Sequence, residues 1–88
     1  MSAPSASRGS LYVVATPIGN LGDITVRAVE VLKSVSAIVA EDTRHSRTLM
    51  NHLGVATPMT AYHEHNEARV SPRLVARMID GDSIALIS

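Results

Sequence analysis

The 88-residue sequence contains no cysteine, phenylalanine or tryptophan, and its only tyrosines are Tyr12 and Tyr62. The missing cysteines exclude disulfides, thiolate metal sites and a cysteine nucleophile, and they fit a cytoplasmic protein. The scarcity of aromatic rings argues against base stacking on an aromatic platform, as in common RNA-binding modules. Eight basic and eight acidic side chains leave no net charge, so a nucleic acid would require a local basic patch. No apolar run approaches the ~18 residues of a membrane span, so we expect no membrane association.

The two ends of the sequence differ in character. Residues 1–10 are mostly Ser, Ala, Pro, Arg and Gly and lack the apolar core of a secretory signal, which predicts a disordered N-terminal arm. The last residue, Ser88, follows directly after the apolar run 84–87, with no turn or helix cap between them. We therefore expect residues 11–88 to form an N-terminal α/β domain that is truncated after its fourth strand.

Short apolar runs alternate with helical patterns along the rest of the chain. Continuous apolar runs are typical of strands buried on both faces of a parallel sheet, and they predict strands at 11–15, 37–40, 59–62 and 83–87. Helical spacing and capping residues predict three helices, of which one begins near residues 23–25 and one spans 44–52. The later part of the third helix starts at Ser71–Pro72. Its predicted core face consists of Leu74, Val75, Met78 and Ile79. The predicted fold is therefore β-α-β-α-β-α-β, a parallel sheet with flanking helices.

Polar segments follow the first three predicted strands, at 17–23, 41–47 and 62–67. Ligands of parallel sheets bind at the carboxyl ends of the strands, where all three segments would meet. In the first segment, Gly19 and Gly22 allow either the close approach of a ligand to the backbone or a tight turn. In the second, Asp42 is either a functional carboxylate or a helix cap.

Two further patterns have competing interpretations. His63 and His65 are spaced as a chelating pair with Glu67 as a third ligand, but the pattern is not a helical zinc motif, and we favour a substrate-facing loop without metal. The arginines of the third helix, four residues apart, form either an RNA-phosphate stripe or a solvated face near Asp80 and Asp82, and we favour the solvated face. These arginines are Arg69, Arg73 and Arg77.

Three longer segments resemble one family in order and spacing. They are Leu11–Thr25 (LYVVATPIGNLGDIT), Ala40–Arg44 (AEDTR) and Tyr62–Glu67 (YHEHNE). Together they are similar to the signature segments of the ribosomal RNA small-subunit methyltransferase I family, within the tetrapyrrole (corrin/porphyrin) methylase superfamily. The resemblance covers residues 9–88. The first loop differs from the G-x-G-P-G-D-like loop of the porphyrin methylases, which favours the rRNA branch.

The resemblance implies an S-adenosylmethionine-dependent enzyme that 2′-O-methylates a cytidine ribose in 16S rRNA of the small ribosomal subunit. It also implies a two-domain homodimer whose first domain has strand order 3-2-4-1-5, of which this chain would hold four strands. The Asp-Ala-Gly-Thr-Pro cofactor segment would follow Ser88, so we expect the 88-residue chain alone to be inactive. Two alternatives stay open: a methylase of tetrapyrroles or other small molecules, and a non-catalytic nucleotide-binding or dimerisation module.

The resemblance and the chemistry of the reaction together suggest site residues. A ribose hydroxyl needs help in losing its proton, which a strand-edge carboxylate or imidazole can give, and no metal is required. The candidates for this catalytic role are Asp42, His63 and Glu64, and spacing does not choose among them. Arg44 and Asn66 are expected to bind substrate phosphate or sugar, and the cofactor is expected to contact Pro17, Ile18 and Gly19.

Overall fold

The computed structural model describes residues 9–16 and 23–87. It confirms the predicted alternation, with strands β1 (Leu11–Val14), β2 (Ala37–Ala40), β3 (Met59–Ala61) and β4 (Ile84–Ile87) and helices α1 (Val26–Ser34), α2 (Thr43–Leu53) and α3 (Glu67–Ile79). Most of the predicted N-terminal arm lies outside the described residues. Its last two members, Gly9 and Ser10, are hydrogen-bonded to the ends of α3 and β4.

The four strands form one sheet in the order β1-β4-β2-β3, and every pair is parallel. This is the order expected for the first four strands of the family's sheet. The register aligns the last residues of all four strands: Val14 pairs with Ile87, Ile87 with Ala40, and Ala40 with Ala61. The four strands therefore end at one level at the carboxyl edge of the sheet, and the polar residues that follow β2 and β3 start from adjacent positions.

The helices cover the two faces of the sheet unequally. Leu32 of α1 and Leu49 of α2 are packed into one core cluster with Ile38 of β2, whereas Leu74 and Met78 of α3 pack on a second, smaller cluster on the other face. The connections β1–β2 and β2–β3 run in one direction across the sheet, and β3–β4 runs back. Right-handed crossovers therefore place α3 opposite the other two helices.

Capping residues set the ends of α1 and α2 as the sequence predicts. The Thr25 hydroxyl accepts a hydrogen bond from the Ala28 amide at 3.0 Å, and Asp42 caps α2. Helix α2 ends at Gly54, whose φ of 72° is the left-handed conformation that favours glycine. These local signals depend on neighbouring residues alone, which is why they can be read from sequence.

The predicted start and core face of α3 need correction. The helix begins at Glu67, so Ser71 and Pro72 lie inside it rather than at its start. The Asn66 carbonyl accepts hydrogen bonds from the amides of Arg69 and Val70, so the first helical turn forms before Ser71 is reached. Pro72, inside the helix, has no N–H to donate to the carbonyl four residues earlier. The core side is also shifted, because Val75 and Ile79 are 50% and 53% exposed. Their neighbour across this face is the exposed side of β1.

Gly9 occupies a position where a side chain would not fit. A Cβ atom there would overlap the backbone of Asp82, and the Gly9 amide donates to the Met78 carbonyl at 2.7 Å. We expect Gly9→Ala to lower the free energy of unfolding by ~1–3 kcal/mol, since backbone must shift to admit the methyl group. Urea unfolding measures the change, with Ser10→Ala as the neighbouring control. Equal stability of the two variants would contradict the close packing seen at Gly9.

Candidate active site

The candidate site lies where β2 and β3 end. Ala40 and Ala61 are paired in register, and the Tyr62 amide donates to the Ala40 carbonyl at 2.9 Å. Asp42 and His63 each lie two residues beyond that pair, just past the ends of two neighbouring strands, and such strands are ~4.8 Å apart. The sheet therefore brings together two residues that the sequence separates, as the prediction of a common edge requires.

Asp42 is the N-cap of α2. One carboxylate oxygen, Oδ1, accepts hydrogen bonds from the amides of Arg44 and His45 at 3.0 and 3.2 Å. The other oxygen, Oδ2, has no hydrogen-bond partner among the described residues. The capping interpretation is thus confirmed, and it leaves one oxygen of a fixed carboxylate available at the strand edge.

Asn66 holds the turn between β3 and α3. Its Oδ1 accepts from the His63 amide at 2.9 Å, and its Nδ2 donates to the Ala61 carbonyl at 3.0 Å. Both ends of the side-chain amide are therefore engaged by the backbone of its own turn. The structure assigns Asn66 a role in positioning His63, which the sequence hinted at through the known tendency of asparagine to bond nearby backbone.

The side chains of His63, Glu64 and His65 differ in burial and in hydrogen bonding. His63 is half-buried, and its Nδ1 accepts from the His65 amide at 3.2 Å. Glu64 and His65 have side chains 85% and 84% exposed, and they approach each other only to 3.8 Å. Of the three, His63 alone has a ring orientation set by a hydrogen bond.

Basic side chains at the start of α2 add positive charge to this edge. Arg44 and Arg47 are exposed, the first turn of α2 contains no acidic residue, and neither arginine forms an ion pair within the described part of the chain. Cations at a helix N-terminus are disfavoured by the helix dipole, so their placement is not explained by helix stability. Arg47 was not predicted as a site residue, although its spacing from Arg44 puts both on adjacent turns.

Arg77, in the last turn of α3, does not join the candidate site. Arg77 Nε donates to Asp82 Oδ2 at 2.9 Å, with both side chains about two-fifths exposed, 43% and 41%. Asp82 precedes β4, so this ion pair lies at the amino edge of the sheet. Arg69 and Arg73 are exposed, which fits both the solvated-face and the RNA-phosphate interpretations.

Three further predictions concern the cofactor residues, a metal site and membrane-spanning helices. The predicted cofactor residues Pro17, Ile18 and Gly19 lie outside the described residues. Over residues 9–16 and 23–87, no three histidine or acidic side chains are grouped as a metal site would require. Helices long and apolar enough to cross a bilayer are likewise missing from those two ranges.

Nearly the whole chain matches a known protein family. Residues 10–88 match the family described as Tetrapyrrole (Corrin/Porphyrin) Methylases. The chain belongs to this family. As a member of the methylase family, it has the family's parallel α/β sheet, and the polar segments after β1, β2 and β3 are its candidate functional loops.

Relatives within the methylase family are considerably longer. The chain is 50% identical over 88 residues to the ribosomal RNA small subunit methyltransferase I of Xylella fastidiosa strain Temecula1, and it covers 31% of that protein. It is 54% identical over 82 residues to the protein of the same name from Pseudomonas aeruginosa, covering 29%. It is 51% identical over 82 residues to that of Escherichia coli O157:H7, again covering 29%. The chain thus spans about 30% of the length of these curated relatives.

Proposed function

We propose that this chain is the N-terminal part of an S-adenosylmethionine-dependent methyltransferase that methylates a cytidine ribose 2′-oxygen in 16S rRNA. The observation that carries the proposal is the identity of about half its residues, over the whole chain, to proteins named ribosomal RNA small subunit methyltransferase I. The juxtaposition of Asp42 and His63 at the ligand-binding edge of the sheet supports it. The longer protein would act as a homodimer in the cytoplasm, on the small ribosomal subunit.

The reaction requires the protein to orient a hydroxyl group and to remove its proton. S-adenosylmethionine, when bound, supplies an electrophilic methyl group, and Pro17, Ile18 and Gly19 are the residues proposed to contact it. Asp42 is the favoured proton acceptor because two backbone amides fix its carboxylate and leave Oδ2 available. Glu64 is a second candidate, though its exposed side chain would have to be ordered by the substrate.

RNA binding is proposed to use the start of α2. Arg44 and Arg47 are exposed cations beside the strand edge, and guanidinium groups match phosphate oxygens well. Asn66 would contribute indirectly by holding the turn that contains His63. The chain has no net charge, so this local group, rather than the overall field, would attract RNA.

The alternative substrate class is a tetrapyrrole or another small molecule, since the family as a whole is described by its corrin and porphyrin methylases. The longer protein should be incubated with tritiated S-adenosylmethionine and either 30S subunits or a porphyrinogen. We expect label in 16S rRNA and none in the porphyrinogen. Label in the porphyrinogen alone would replace the rRNA proposal by the alternative, and label in neither would favour a non-catalytic module.

The same assay applied to the isolated 88-residue chain should show no methyl transfer. The chain covers about 30% of its relatives, and the family's cofactor site is expected to need residues beyond it. The measurement is label incorporated into 30S subunits above a no-protein background. Incorporation above background would show that these 88 residues suffice for cofactor binding and chemistry.

A further inference from the structure

The imidazole of His63 is held in one hydrogen-bonding state. Its Nδ1 lies 3.2 Å from the His65 backbone amide and accepts that N–H. A backbone amide can only donate, so the Nδ1 of neutral His63 must carry the lone pair. The proton of the neutral ring is then on Nε2, because the hydrogen bond made by one ring nitrogen sets the state of the other.

The rest of the turn keeps this arrangement in place. The His63 amide donates to Asn66 Oδ1 at 2.9 Å, and the His63 carbonyl accepts from the amides of Asn66 and Glu67 at 3.0 and 2.9 Å. The ring of His65 packs edge-on against that of His63, with centroids 5.7 Å apart. The polar atoms of His63 are thus engaged except Nε2, which has no hydrogen-bond partner among the described residues.

We propose that His63 is a substrate-binding hydrogen-bond donor, which presents Nε2–H to an acceptor oxygen of the RNA, and that it is not the proton acceptor of the reaction. This inference rests on the proposed function and narrows it, because it leaves Asp42 and Glu64 as the candidate bases. A neutral ring whose only available nitrogen already carries hydrogen cannot accept a proton there. His63 follows the end of β3, which is paired with the end of β2 that precedes Asp42, and this position suits a group that orients the sugar-phosphate chain.

The protonation state can be measured without any assay of activity. The longer protein, labelled with ¹⁵N only in histidine, should be studied at about pH 8, where an ordinary imidazole is neutral. We expect long-range ¹H–¹⁵N correlations to show His63 with a protonated Nε2 and an unprotonated Nδ1, with His63→Gln used to assign its signals. A protonated Nδ1 with a bare Nε2 would overturn the proposal.

Three substitutions separate donation from proton acceptance. The amide nitrogen of glutamine reaches the position of imidazole Nε2 and can donate but cannot act as a base, whereas that of asparagine falls near Nδ1. For 30S subunits, we expect kcat/KM of His63→Gln to stay within about threefold of wild type, and that of His63→Asn and His63→Ala to fall ~10–100-fold. The loss should appear mainly in KM, and the dependence of kcat on pH should be unchanged.

Thermal melts of the three variants control for folding, since the His63 backbone bonds do not need its ring. If His63→Gln is as inactive as His63→Ala while both melt like wild type, His63 is not a simple donor and the proposal is wrong. If the unmodified longer protein transfers no methyl group to RNA, the proposed function fails, and the donor role toward RNA fails with it. The ¹⁵N measurement still decides the assignment of the proton to Nε2 in that case.

Discussion

Replacing Asp42 by asparagine should lower the rate of methyl transfer by ~10²–10⁴-fold, the usual effect of removing a general base. In this structure, the substitution removes the carboxylate without removing the cap of α2. Asparagine is as good an N-cap as aspartate, so its side-chain oxygen can keep the bonds that Oδ1 accepts from the Arg44 and His45 amides. The carboxylate is lost and the helix start is kept. Single-turnover methylation of 30S subunits by the longer protein measures the effect on chemistry alone.

Three comparisons make the Asp42 result interpretable. Asp42→Ala removes the cap as well and should cost a further ~0.5–2 kcal/mol of stability, visible as a lower unfolding midpoint. Arg73→Ala, on the exposed side of α3, should leave the single-turnover rate unchanged. Glu64→Gln tests the second candidate base. If Asp42→Asn retains the wild-type rate and Glu64→Gln loses it, the proton acceptor is Glu64 and the cap of α2 is purely structural.

Much of this fold follows from short-range patterns. The run 37–40 is apolar throughout, and all four of its residues are buried in the central strand β2. Thr25, Asp42 and Gly54 mark helix ends because each satisfies backbone groups through its own side chain or conformation. Alternating short strands and helices then leave few topologies, since parallel crossovers have one hand. The family resemblance supplied the strand order, which those patterns do not determine.

The errors occurred where other hydrogen bonds, or the extent of the sheet, outweigh the local signal that the sequence offers. Ser71 and Pro72 look like a helix start, yet α3 begins at Glu67, because hydrogen bonds around Asn66 form the first turn earlier. Val75 and Ile79 fit the helical period of a core face, but the sheet beneath them ends at β1, so they remain half exposed. Periodicity identifies an apolar face without showing how much of it the sheet covers.

The candidate site was predictable by location and less so by role. Topology places Asp42 and His63 at one edge from the sequence alone. What each side chain does there depends on hydrogen bonds of a few ångströms, as for Asn66, whose side-chain amide is engaged by its own turn. The same applies to His63, whose proton position follows from a bond to the His65 amide that spacing does not reveal.

The isolated 88-residue chain should self-associate through β1. Within the described part of the chain, β1 pairs with β4 on one side only, which leaves a row of unpaired backbone groups on its other side. Leu11 and Val13 of this edge strand have apolar side chains that are 52% and 66% exposed, and β1 itself carries no charge. Unprotected, uncharged edges of this kind pair with further strands. In the longer protein, the fifth strand implied by the resemblance would cover this edge.

A single charge should abolish that association. Val13→Lys places an ammonium group on the open edge, a device by which natural sheets prevent edge pairing. Val26→Lys is the matched control, since it makes the same change at a 77% exposed position that lies on helix α1 and not on the edge strand. Sedimentation equilibrium should show a mass that rises with concentration for the unmodified chain and for Val26→Lys. Val13→Lys should remain a monomer.

The comparison also separates edge pairing from general insolubility. If charge alone suppressed association, Val26→Lys would be as monomeric as Val13→Lys, and the edge would not be responsible. Circular dichroism should show the same helix content in all three chains, because neither substituted side chain is buried. An unmodified chain that stays monomeric at high concentration and melts cooperatively would contradict the argument altogether. It would mean that four strands and three helices stabilise this sheet without a partner at β1.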